Sequence, residues 1–92
     1  MIVRIMGEGQ YRLSDDIRER VNELDNRVVA AVEGNDEDGF HAAFEELLDV
    51  IRNDGEHLGD DELETSDVII PPADTSMEEA AGDFSGEGLI PD

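Results

Sequence analysis

Two stretches of helical periodicity meet at Gly34, and no other feature constrains the fold of this chain as tightly. The apolar positions of the first run Ile17, Val21, Leu24, Val28 and Ala31/Val32. That spacing places them on one face of a helix with a heptad-like seam. After a break at Gly34-Asn35-Asp36, the pattern resumes with Phe40, Ala43, Phe44, Leu47, Leu48 and Ile51, and Gly55 closes it. A connection this short predicts an antiparallel helical hairpin. Its two faces are long enough to pack on each other and still cover a small sheet. Ser14, Asp15 and Asp16 supply a cap and an acidic first turn for the first helix. Asn35 or Asp36 caps the second, and Gly34 is placed to end the first in the left-handed conformation. Asp16 with Arg20, and Glu23 with Arg27, stand at the i,i+4 spacing that supports a helix by acid–base pairing.

The flanks read as short β segments. Ile2-Val3-Arg4-Ile5-Met6 is β-branched, Gln10-Tyr11-Arg12-Leu13 alternates, and Gly7-Glu8-Gly9 between them suits a hairpin with a bulge. Residues 56–67 read as an acidic loop. Val68-Ile69-Ile70, stopped by Pro71-Pro72, reads as a third short strand at a sheet edge. Ser76-Met77-Glu78-Glu79 matches a capping box. Met77, Ala80, Ala81 and Phe84 follow at helical spacing and predict a short C-terminal helix, which Gly86-Glu87-Gly88 ends. Leu89-Ile90-Pro91 would tuck back onto the body. The expected architecture is α+β: an N-terminal β-hairpin (1–13), a helical hairpin (14–55) packed on it, an acidic loop with a short strand (56–75), and a short helix and tail (76–92). At 92 residues these form one small domain with a thin core.

Charge sets the environment. The chain carries 26 Asp and Glu against 6 cations, a net charge of −20, and every cation is arginine. Such a balance signals either disorder or a surface adapted to molar salt, where the Debye length falls to about 3 Å and self-repulsion is screened. The strong periodicity selects the halophilic reading. Nucleic acid is not an expected partner, because binding phosphate requires cations to exchange for counterions. No apolar run reaches the length of a membrane span or a signal peptide core, so a cytoplasmic location without membrane insertion is expected.

Chemistry-bearing motifs are scarce. The chain has no cysteine, which removes disulfides, thiolate metal sites and a cysteine nucleophile. His41 and His57 are sixteen residues apart, one in the second helix and one in a loop, with no pairing that would gather zinc ligands. Gly34–Glu45 can be laid on a calcium loop, with Asp36, Asp38, Gly39 and Glu45 at loop positions, but its first position is glycine. A helix–helix turn in an acidic protein explains the same residues. No phosphate-binding or nucleophile-elbow motif is present. No catalytic residue, cofactor or metal is expected.

The order of features resembles the small PspA-associated proteins (PspAA), found beside the phage-shock protein A homologue in actinobacteria and haloarchaea. The likeness is carried by Met1–Tyr11, with its Gly-Glu-Gly-Gln-Tyr stretch, and by Leu24-Asp25 through Val32-Glu33. It continues in Asp60-Asp61-Glu62-Leu63, Ser66–Asp74 and the terminal Glu87-Gly88-Leu89-Ile90-Pro91. Residues 80–86 depart from it, where leucines and an arginine would be usual. The resemblance implies a haloarchaeal, non-enzymatic accessory of an envelope-stress protein that is itself a long coiled coil. It supplies no catalytic residues to carry over.

The expected function is therefore an adaptor acting by protein–protein contact, as a homodimer or with a PspA-like coiled-coil protein. The candidate surface is the helical seam Ile17, Val21, Leu24 and Val28, with Ile2 and Arg4 on the edge of the first strand. The alternative is a small ligand- or cation-binding protein using the acidic clusters at Asn35–Asp38 or Asp60–Glu64.

Overall fold

Ile2–Ile5 and Gly9–Arg12 form strands β1 and β2, joined by a turn in which the Glu8 N–H donates to the Ile5 carbonyl (3.0 Å). Gly7 takes φ +86° there, a conformation that glycine adopts without steric cost. The computed structural model describes residues 1–59, 61 and 64–84. Among them the elements continue with α1 (Asp15–Glu33), α2 (Glu37–Asp54), β3 (Glu56–Leu58), β4 (Val68–Ile70) and α3 (Met77–Phe84). The architecture is α+β, as expected. The stop at Gly86–Gly88 and the tuck of Leu89–Pro91 lie outside the described residues.

The joint between the helices departs from the expectation in one respect. Gly34 is the C-cap of α1 with φ −84°, and the left-handed residue is Asn35, at φ 54°. The Asn35 N–H donates to the Val32 carbonyl (3.1 Å) and the Asp36 N–H to the Ala31 carbonyl (2.8 Å). These two bonds satisfy the last carbonyls of α1, and asparagine tolerates the left-handed region better than most residues. Moving that position one residue on lets Asp36 cap α2 at once, its Oδ1 accepting from the Gly39 N–H at 3.0 Å. The residues that can be laid on a calcium loop thus serve as the joint. Ser14 caps α1 by accepting from the Ile17 N–H. Arg20 and Arg27 reach across the hairpin to Asp54 (2.9 Å) and Glu46 (4.0 Å), so these two arginines tie helix to helix.

The sheet holds more strands than expected. Its order is β3-β2-β1-β4, with β2 antiparallel to both β1 and β3, and β4 parallel to β1. Two expectations are corrected. Glu56–Leu58 is a strand within the stretch read as an acidic loop, so His57 lies on a strand. Moreover β1 is central, flanked on both sides, and offers no free edge for pairing at Ile2 or Arg4. The edge strands are β3 and β4, the latter as its prolines suggested.

Alternation gives the sheet two unlike faces. Val3, Ile5, Tyr11, Val68 and Ile70 join one core with Phe40, Phe44, Leu47, Leu48 and Ile51 of α2 and with Val21 and Val28 of α1. Ser76 and Glu79 cap α3, the Ser76 Oγ accepting from the Glu79 N–H (3.2 Å), and fully buried Ala80 brings that helix into the same core.

Candidate functional site

The other face of the sheet carries the candidate site. Strand register lines up Leu58, Gln10, Arg4 and Ile69 in one row, one residue from each of β3, β2, β1 and β4. Because side chains alternate, this row points away from the helices. Its two halves are finished differently.

On the β3–β2 half, Leu58 and Gln10 are buried, and Gln10 is held by the segment 64–66. The Gln10 Nε2 donates to the Glu64 carbonyl (2.5 Å) and to Ser66 Oγ (2.7 Å), and its Oε1 accepts from the Glu64 N–H (3.1 Å). Arg12, two residues on and on the same face, pairs with Glu56 (2.9 Å) and also with Glu64. At the end of the segment the Ile2 N–H donates to Asp67 Oδ2 (2.9 Å), while the Asp67 N–H donates to the Ile2 carbonyl (2.8 Å). A buried amide that meets three partners is a specific clasp, since each would otherwise be desolvated without compensation.

On the β1–β4 half two apolar side chains are open to solvent. Ile69 is 56% exposed and Met6 47%, and these are the large exposed apolar side chains among the described residues. Met6 follows the end of β1, and its N–H donates to the Ile70 carbonyl at 3.0 Å. Arg4, the register partner of Ile69 on β1, is exposed, with no carboxylate among the described residues at ion-pair distance, whereas Arg12, Arg20, Arg27 and Arg52 are all paired. A cleft beside Arg4 is lined by Glu8, Gly9, Gln10, His57 and Leu58.

The turn that carries Met6 is held from the helical side. Arg52 near the end of α2 makes a two-pronged pair with Glu8, Nε to Oε1 at 2.6 Å and Nη2 to Oε2 at 2.5 Å. These bonds hold the Glu8 carboxyl below its ordinary pKa and push the Arg52 guanidinium up.

Of the six residues expected to form an interaction surface, Val21, Leu24, Val28 and Ile2 are buried and Ile17 is partly buried against the core. The seam packs within the chain itself, and only Arg4 is presented to solvent. A shallow groove does lie at the closed end of the helical hairpin, lined by small residues such as Ala30, Gly34 and Ala42 between Arg27 and Glu46. Sequence reasoning missed Gln10, Met6 and Ile69. For Ile69 a signal existed: the middle residue of a three-residue strand points opposite to its neighbours, so Val68 and Ile70 cannot share a face with it. Among the described residues no group of three or more His, Cys, Asp or Glu side chains is arranged to hold a metal ion. None of the described helices is long and apolar enough to cross a membrane.

A family model described as PspA-Associated protein matches residues 1–92. No curated protein and no solved structure matches the chain.

Proposed function

The chain belongs to the PspA-associated protein family, and on that premise we propose that it is a non-enzymatic accessory of a PspA-type envelope-stress system, acting by protein–protein contact in a high-salt cytoplasm. The family ties the chain to PspA systems. The observation that supports contact as the mode of action is the outer side of the sheet, where Ile69 is exposed beside its register partner Arg4 and Met6 is exposed just past the end of β1.

Co-purification of the full chain with the PspA-type protein of the same genome, from lysate in about 2 M KCl so that screening is that of brine, tests the reading. Retention of the two together, surviving gel filtration, supports it; independent elution of both proteins sinks it. The salt assignment has its own measurement. With a net charge of −20 on 92 residues, withdrawing the screening should expose strong self-repulsion. The melting temperature in about 3 M KCl should therefore stand well above that in about 0.1 M, and equal values would remove the halophilic argument.

A further inference from the structure

We draw no further inference here: the strongest candidate, the shallow groove at the closed end of the helical hairpin between Arg27 and Glu46, is a stripe of small residues, and nothing in the structure shows what covers it.

Discussion

On the inner face of the sheet, Val3, Ile5, Tyr11, Val68 and Ile70 meet two helices and disappear from solvent. On the outer face, one residue along the same strands, Gln10 is held in a hydrogen-bonded clasp and Leu58 is buried, while Arg4 and Ile69 lie open. The inner face is held by apolar burial, which is non-directional and strengthened by salt. The clasped half is held by a few directional bonds, each replaceable and each local. A thin domain with a strongly repulsive surface can anchor itself through one face and leave part of the other for contact. Perturbing the two faces should therefore give effects of different size and different reach.

The largest effect belongs to the inner face. Phe44 is 1% exposed and stacks with Phe40, their ring centroids 5.4 Å apart. Phe44→Ala should cost about 3–5 kcal/mol, a large share of the stability of a domain this small. Chemical denaturation in high salt should show a single transition moved to much lower denaturant. Glu46→Ala, at an exposed residue 4.0 Å from Arg27, should shift it by no more than about 0.5 kcal/mol. If the two variants melt alike, the inner face is not the principal anchor.

The helical hairpin was legible in the sequence because its signal is local and repeated. Six apolar positions on the second helix share one period, and the two breaks beside it are glycines. Strand β3 was not legible, because Glu56-His57-Leu58 offers one apolar residue in three and lies within a run of acids. The central place of β1 was hidden for another reason. It depends on parallel pairing of Val3 with Val68, and nothing local in either segment names a partner so distant along the chain. The shift of the left-handed residue from Gly34 to Asn35 reflects a choice between two competent residues, decided by the need to seat Asp36 as the next cap. The candidate site was legible only in Arg4. Gln10 sits in the Gly-Glu-Gly-Gln-Tyr stretch that carries the family likeness, but its role requires the return of residues 64–66 over the sheet.

A middle-sized effect belongs to the clasp. Gln10→Ala removes three hydrogen bonds at once and leaves the Glu64 amide and carbonyl and the Ser66 hydroxyl seeking water. The cost should be about 1–3 kcal/mol, smaller than that of Phe44→Ala. Its reach should also be narrower. Amide exchange at residues 64–66 and at Leu58 should quicken far more than exchange in α1 or α2. Uniform acceleration throughout would mean that the clasp and the inner core form one cooperative unit, and the contrast between the faces would collapse.

The smallest effect is the pH dependence of the pair that fixes the Met6 turn. The Arg52 hydrogen bonds lower the pKa of Glu8 in the folded chain. A carboxyl with a depressed folded pKa contributes stability above its unfolded pKa and loses it as pH falls through the folded value. The pair is partly solvated, with side chains 34% and 28% exposed for Arg52 and Glu8, so at neutral pH Glu8→Gln should cost at most about 1 kcal/mol. Acid titration of the wild type alone cannot isolate so small an effect among 26 carboxyls, but the difference between wild type and Glu8→Gln can. That difference should be present at neutral pH and shrink towards zero as Glu8 becomes protonated, since a protonated carboxyl and an amide meet Arg52 with nearly the same charge. It should also shrink with added salt, whereas the Phe44→Ala difference should not. A Glu8→Gln penalty that persists unchanged into acid would show that Glu8 holds the turn by shape alone.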